Sequence, residues 1–340
     1  QTIKTGEGNT AVGSYTFGSS KFAQDSVAVG MAAGQYSSGS QNVLIGRSAG
    51  NLMYSGSDNV HIGYTAGYYA TGSNNTFVGS EAGKGGTTSA PYSSGIYNTF
   101  IGANAGKGHT TAGYNTFMGY DAGVAITTGD GNTILGTNSG TQISTGTTNT
   151  LIGSDAQRYN NVSEAVVIGE RAGLYNTGNN NVFVGNEAGR NSGAGTECVF
   201  IGKNAGYYGT HDDSTAVGFE AGKYATGSYN TFLGHSAGTG GTTSAPYSSG
   251  TFNTFMGYQS GKAFTSGSEN TAMGVTSLAA LTSGGRNTAL GTRAGLVLTE
   301  GSENVFVGKD AGDSATLINH AILIGHNAGH TISTSTAVDG

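Results

Sequence analysis

The fold is decided by a short stretch, Asn75-Thr-Phe-Val-Gly-Ser-Glu-Ala-Gly83, which returns in close variants along the whole chain. With Gly79 and its equivalents as markers, we count 19 copies between residues 1 and 340. The 18 intervals between successive markers are ten of 17 residues, six of 16 and two of 23. A repeat of this kind buries its apolar side only by stacking on its neighbours. The spacing therefore predicts a solenoid.

The first half of the repeat is typical of a β-strand. The residue three before the marker Gly is β-branched in all 19 copies, and the residue directly before it is aliphatic or Met in all 19. Residues two apart point to the same face of a strand, and β-branched side chains suit a pleated, packed surface. We expect these two columns to face the inside of each coil.

The second half of the repeat predicts corners and a return loop. Ala or Ser stands three after the marker in 18 copies, and Gly follows it in 16, as in Ala82-Gly83 and Ala105-Gly106. This predicts a short second strand that ends at Ala-Gly, with glycine supplying positive-φ corners. Asn begins 14 copies, Asn42 and Asn75 among them. Stacking predicts a ladder of amides; the alternative is that Asn only favours the turn before the strand.

Composition excludes several classes of protein. The chain has 62 Gly, two Pro, one Cys, 10% charged residues and a net charge of −6. Collagen needs a regular Gly period and abundant Pro, and a disulfide scaffold needs more than Cys198. The acidic balance argues against a nucleic-acid partner. No apolar run approaches the ~20 residues of a membrane span, and we expect no cofactor.

The middle residue of the predicted strand is apolar in every copy except His61. If its two neighbours face inward, this column faces out, and an apolar stripe of that length exceeds what monomers expose. We therefore predict that it forms an interface between copies of the chain about a threefold axis; the alternative is a monomer whose own loops cover it. The predicted interface residues are Phe77, Phe100, Phe117, Phe183, Phe200, Phe232, Phe255 and Phe306.

These repeats resemble a known family. Asn9-Thr-Ala-Val-Gly13, Ser26-Val-Ala-Val-Gly30 and Asn42-Val-Leu-Ile-Gly46 are similar to the head repeats of YadA-like trimeric autotransporter adhesins and to Asn-Thr-x-x-Gly-x-x-Ala-Gly arrays of phage tail-fibre-like proteins. The resemblance implies a left-handed parallel β-roll, a homotrimer and a role in surface attachment. The longer coils and many Phe depart from the adhesin heads, so a fibre segment is an equal expectation.

The two long intervals carry the only prolines. The segment Gly85–Gly95 is repeated letter for letter as Gly240–Gly250, at a shift of 155 residues. We predict a single continuous rod over residues 1–340 with a nine-coil super-repeat, approximately 14–169 and 170–325. The inserts are candidate receptor-contact loops, or decorations without a partner. The residues singled out in them are Pro91, Tyr92, Pro246 and Tyr247.

Catalytic and metal-binding patterns are weak. No catalytic constellation stands out, and none of the seven His lies in a tight metal-ligand spacing. His61 is the one metal candidate, because three copies of it would meet near a threefold axis. Acidic residues such as Glu81 and Asp121 often fall two after the marker and predict a surface column of carboxylates. The 18 Tyr predict either an adaptable binding surface or a stacked ladder of rings.

The function expected from these features is structural. We predict an all-β parallel solenoid of about 19 coils of 16–17 residues, acting as an extracellular, cell-surface or virion fibre segment or adhesin rather than as an enzyme. Its expected partners are two further copies and a cell-surface glycan or protein receptor. The alternatives are a carbohydrate-degrading spike, which needs paired carboxylates, and an ice- or crystal-binding solenoid. An inward Thr column would disfavour the last of these.

Overall fold

A computed structural model describes residues 6–20, 23–86, 92–209, 211–241 and 247–332. Over these residues the chain is an all-β parallel β-solenoid of about 18 to 19 turns, without a helix. Every strand has three residues and ends directly before a marker Gly. The strands are β1 (Thr10–Val12), β2 (Val27–Val29), β3 (Val43–Ile45), β4 (Val60–Ile62), β5 (Thr76–Val78), β6 (Thr99–Ile101), β7 (Thr116–Met118), β8 (Thr133–Leu135), β9 (Thr150–Ile152), β10 (Val166–Ile168), β11 (Val182–Val184), β12 (Val199–Ile201), β13 (Thr215–Val217), β14 (Thr231–Leu233), β15 (Thr254–Met256), β16 (Thr271–Met273), β17 (Thr288–Leu290), β18 (Val305–Val307) and β19 (Ile322–Ile324).

The chain divides into two compact units, Gln1–Val167 and Ile168–Gly340. Strands β1 to β9 lie in unit 1, β11 to β19 lie in unit 2, and β10 spans the division. Within each unit successive strands pair in parallel without a register shift, so Thr76 lies opposite Thr99 and Phe77 opposite Phe100. Equivalent residues of successive coils therefore form straight columns.

The direction of the strand side chains is the opposite of the prediction. In β2 to β18 the middle residue is buried, and both flanking residues are half-buried or exposed. The eight Phe predicted to form an intermolecular interface are all at most 1% exposed within the single chain, so that prediction is wrong. These residues are Phe77, Phe100, Phe117, Phe183, Phe200, Phe232, Phe255 and Phe306.

The Phe column is the core of the solenoid. Neighbouring rings stack at centroid distances of 4.9 Å for Phe77 and Phe100 and 4.6 Å for Phe100 and Phe117. The narrow coil has room for one side chain from each strand. Where the middle residue is Phe it fills that room, because stacked aromatic burial contributes more than burial of Thr or Val would.

Two glycines per coil make this packing possible. Marker Gly79 has φ 139°, a region open to glycine alone, and a Cβ there would lie 2.5 Å from the carbonyl oxygen of Gly102 in the next coil. Gly83 has φ 52°, and its Cβ would lie 2.5 Å from the Phe77 ring. Glycine is thus required both where coils touch and where the ring lies on the opposite wall.

The second strand predicted at Ala-Gly is a turn in the structure. In the turn after strand β5 the N–H of Ala82 donates to the carbonyl of Gly79 at 3.3 Å. The N–H of Gly83 donates to the carbonyl of Ala105 in the next coil at 2.9 Å. Ala82 is fully buried. A small side chain is needed here because the wall of the turn faces the Phe column at close range.

The predicted amide ladder is confirmed inside each unit. The Oδ1 atom of Asn115 accepts the backbone N–H of Asn132 at 2.8 Å and its side-chain Nδ2 at 3.1 Å. Nδ2 of Asn115 donates to the carbonyl of Gly129 at 2.9 Å. Where Ser26 and Ser214 replace Asn, their hydroxyls accept the next backbone N–H instead. The ladder satisfies buried backbone groups that a three-residue strand leaves unpaired.

Candidate functional site

The first candidate surface for binding a partner is formed by the two columns of residues that flank the buried middle residue of each strand. We call it the outer strand face. Among its apolar members, Met118 is 46% exposed, Leu233 41% and Met273 42%. The other column is β-branched throughout. These columns were predicted to face inward, and that prediction is wrong.

Threonine is concentrated in two runs on this face. In unit 1 the strands β5 to β9 all begin with Thr, and in unit 2 the strands β13 to β17 do so. Each run is in register from strand to strand. Hydroxyl and methyl groups therefore repeat at the spacing of about 4.8 Å between paired strands. The face combines a regular Thr column with an adjacent aliphatic column.

The inserts bring a tyrosine against the rings of earlier coils. Pro91 and Pro246 lie outside the described residues. The described end of the first insert pairs with an earlier coil: the N–H of Ser93 donates to Tyr69 at 3.1 Å, and the N–H of Thr71 donates to Ser93 at 2.6 Å. The second insert repeats this through Ser248. Each insert is thus fastened to its unit beside its tyrosine.

Unit 1 carries a row of rings that we call the tyrosine row, in the order Tyr36, Tyr54, Tyr92 and Tyr69. Successive ring centroids are 6.2, 5.5 and 5.9 Å apart. In unit 2 the insert residue Tyr247 lies 4.9 Å from Tyr208 and 6.1 Å from Tyr224. The structure therefore contains the stacked tyrosines that the sequence predicted as one of two alternatives, and it joins Tyr92 and Tyr247 to them.

Two cavities adjoin the tyrosine row. One, of about 280 Å³, is lined by Tyr69, Lys84, Lys107 and the backbone of Gly85, Gly86 and Gly108. The other, of about 320 Å³, is lined by Ser19, Tyr36, Ser38 and Tyr54. Both are near the lower end of the ~300–1,000 Å³ typical of small-ligand sites. Each end of the row thus has a cavity beside it.

Charge at the first cavity is set by three side chains. Glu81 Oε1 lies 3.1 Å from the ammonium of Lys84, and Oε2 pairs with Lys107. The hydrogen bond from Lys107 holds the pKa of Glu81 below its ordinary value against the opposing effect of burial, and the hydrogen bond from Lys84 lowers this pKa further. Among the described residues, these ion pairs join two ammonium groups to one carboxylate, which leaves one positive charge in excess within this group of three.

Acidic residues two after the marker Gly form the predicted carboxylate column, but basic partners accompany them. Pairs three residues apart recur at Asp155–Arg158, Glu187–Arg190 and Glu220–Lys223, with N–O distances of 3.1, 3.6 and 2.7 Å. Sequence reasoning missed these partners. The signal was present, since the basic residue stands five after the marker.

Three histidines are fully buried: His61, His109 and His211. Burial lowers the pKa of His61 to about 3, with a smaller contribution from His109, and burial lowers the pKa of His109 and of His211 to about 4. His61 stacks on Phe77 at 4.8 Å inside the coil. It cannot meet copies of itself at a molecular axis, so the geometry behind the metal prediction is wrong.

The described residues contain no group of three or more His, Cys, Asp or Glu placed to hold a metal ion. Nor do they include a helix long and apolar enough to cross a membrane. No protein-family model matches the chain. The search of curated proteins likewise found no significant match. Function must therefore be argued from the surfaces just described.

Proposed function

We propose that the chain is a structural segment of an extracellular, cell-surface or virion-associated fibre, or an adhesin segment, that attaches to a cell or glycan surface. The observation that carries this proposal is the outer strand face, repeated coil after coil around a core filled by the Phe column and the asparagine ladder. In this proposal the coils are left-handed, as in the family that the sequence resembles. The fibre is a homotrimer.

The interface of this proposed trimer differs from the Phe column that the sequence predicted. The Phe column is internal, whereas the outer strand face carries an aliphatic or Met side chain on each strand, half-buried on most strands and exposed on others such as β7, β14 and β16. Apolar surface of that extent is seldom left in water. We place the contact between chains on this face, because a parallel partner would cover it along successive coils.

Solution mass tests the assembly. Light scattering of the purified chain should give about three times 34.0 kDa, and negative-stain electron microscopy should show elongated particles. A mass of one chain would refute the homotrimer. Attachment is tested separately, by binding of the labelled chain to bacterial or animal cells and to immobilised polysaccharide.

A second candidate is binding to a regular crystal surface such as ice. The outward Thr runs support it, since they remove the objection that the Thr column faces inward. Ordered rows of hydroxyl and methyl groups on a sheet can match a repeating lattice of water. Thermal hysteresis measured at millimolar protein would support this function, and normal freezing with unaltered ice-crystal shape would exclude it.

A further inference from the structure

The tyrosine row differs from an ordinary ladder of packed rings because a later segment completes it. Tyr36, Tyr54 and Tyr69 come from three successive coils, whereas Tyr92 comes from the insert of the coil after them. The Tyr92 ring lies between Tyr54 and Tyr69, at 5.5 and 5.9 Å. The row is therefore an assembled surface, fastened by the backbone bonds of Ser93.

The members of the row remain accessible. None of the four rings is buried, and Tyr54 is 44% exposed. Burial and then the hydroxyl of Tyr92 raise the pKa of Tyr54, so the Tyr54 phenol stays neutral at physiological pH. Neutral phenols donate and accept hydrogen bonds, and their rings provide rigid apolar area at low entropic cost.

These properties fit a sugar better than a purely apolar ligand. A pyranose ring presents C–H groups on one face and hydroxyls around its edge, which suits a row of phenols flanked by serines. The cavity at Tyr36 and Tyr54 also contains Ser19 and Ser38. The cavity at Tyr69 adds the backbone of Gly85 and Gly86.

The charge at the Tyr69 end of the tyrosine row restricts the class of ligand further. Lys84 and Lys107 both line the cavity at Tyr69, and among the described residues the carboxylate with which both form ion pairs is that of Glu81. An acidic group in that cavity would accept charge-assisted hydrogen bonds from the ammonium groups of Lys84 and Lys107. A sugar carboxylate fits this environment, and both uronic and sialic acids carry one.

Unit 2 provides an internal comparison. At the shift of 155 residues Tyr69, Tyr92 and Lys107 correspond to Tyr224, Tyr247 and Lys262, but Lys84 corresponds to Thr239 and Glu81 to Ser236. Tyr36 and Tyr54 correspond to Asn191 and Gly209. Unit 2 therefore keeps the insert tyrosine Tyr247, stacked on Tyr208 and Tyr224, but it has no tyrosine at the place of Tyr36 and lacks one of the two lysines.

We propose that unit 1 binds an acidic oligosaccharide along the tyrosine row, with a sugar carboxylate in the cavity of Lys84 and Lys107. Sugar rings pack along Tyr69, Tyr92 and Tyr54 towards the serine-lined cavity. This inference rests on the proposed attachment function and names the class of receptor for it.

The test uses the full chain and defined trisaccharides. Isothermal titration calorimetry compares a galacturonic-acid trisaccharide and sialyllactose with the neutral galactose trisaccharide. At least one acidic probe should bind about 10-fold tighter than the neutral one, and its advantage should shrink as salt is added. The two acidic arms distinguish a uronate from a sialate receptor. Equal binding of all three, or binding of neither acidic probe, overturns the proposal.

Variants locate the site. Lys84→Thr copies the residue of unit 2 and should remove the preference for the acidic probe, whereas Tyr54→Ala should abolish binding. Tyr208→Ala is the matched control in unit 2 and should change nothing. Unaltered binding by Tyr54→Ala, with circular dichroism showing both Tyr variants folded, overturns the site.

Cell attachment separates this proposal from the function it rests on. If the wild-type chain attaches to cells and Lys84→Thr attaches equally well, the acidic-sugar site is wrong while the attachment function stands. If the wild-type chain attaches to no cell or polysaccharide surface, the attachment function fails. The calorimetric result then decides the sugar site by itself.

Discussion

At the scale of single residues, neighbours in one strand have opposite roles. Thr116 and Met118 are exposed, and Phe117 between them is fully buried. What makes room for Phe117 is the glycine of the following turn: a Cβ on Gly123 would lie 2.7 Å from the ring. The glycine therefore leaves room for a ring as large as Phe at the middle place of this strand.

Replacing Gly83 with Ala tests this requirement. An Ala at this position would have to keep a left-handed backbone, which costs an L-residue about 1–2 kcal/mol. In addition, its Cβ would clash with the Phe77 ring. We expect Gly83→Ala to destabilise unit 1 by more than that backbone cost, measured by chemical denaturation followed by circular dichroism.

Gly131→Ala is the matched control for that measurement. Gly131 has φ +68°, but no neighbouring heavy atom lies closer than 3.9 Å to its Cβ position. Its replacement should show the backbone cost alone. Equal losses for the two variants would mean that contact with the ring does not matter.

The buried histidines predict a loss of stability in acid. His109 donates from Nδ1 to the carbonyl of Gly106 at 3.2 Å, and its Nε2 has no hydrogen-bond partner among the residues that the structure describes. Its pKa of about 4 in the folded chain lies below the unfolded value of 6.5, so the unfolded chain takes up the proton first. Stability falls from pH 6.5 towards about 4, by an amount on the order of a few kcal/mol.

His109→Phe should reduce this pH dependence. Phe264 stands at the equivalent place of unit 2 and packs on Phe255 at 5.4 Å, so the substitution is already accommodated in the same setting. Melting temperatures measured from pH 7 to pH 4 should fall less for the variant than for the wild type. Parallel curves would show that His109 is not a source of the acid sensitivity.

At the scale of the repeated element, the asparagine ladder supplies hydrogen bonds between coils that longer strands would otherwise supply. Each three-residue strand pairs only briefly with its neighbours. The Asn before it bonds to the next coil through both backbone and side chain. This explains why the repeat keeps Asn at that place and why Ser, as Ser26 and Ser214, can replace it.

Asn115→Ala should be more damaging than Asn115→Ser. The Ala variant leaves the N–H of Asn132 and the carbonyl of Gly129 without their partner, at about 1–3 kcal/mol for each buried group. The Ser variant keeps an acceptor for the N–H, as Ser26 does for Asn42 at 3.0 Å. Denaturation midpoints in the order wild type, Ser, Ala confirm the ladder, and equal midpoints for both variants contradict it.

At the scale of the whole molecule, the outer strand face decides what the chain associates with. Met118→Lys together with Met273→Lys puts charges on two side chains that are 46% and 42% exposed. We expect this variant to keep its circular dichroism spectrum and melting temperature but to scatter light as a single chain of 34.0 kDa. Thr128→Lys, in an exposed return loop, should leave the trimer intact.

Phe117→Ala should lower the stability of the chain but leave its association into a trimer unchanged. Removing a fully buried ring costs about 3–5 kcal/mol through lost burial and a cavity, with no direct change at the outer strand face. A stable Phe117→Ala variant that dissociates into single chains would restore the Phe column as the interface. A trimer that survives both Met substitutions would exclude the outer strand face.

The sequence alone determined the repeat, its count and the parallel stacking, because a strict spacing of 16–17 residues leaves few other ways to bury the apolar columns. It also predicted the asparagine ladder. It could not decide which way the strand faces, since Thr76, Phe77 and Val78 are all compatible with a core. Only the tertiary structure decided that, because the width of the coil admits one side chain. The tyrosine row likewise depends on the insert crossing back to earlier coils, a contact that local spacing does not encode.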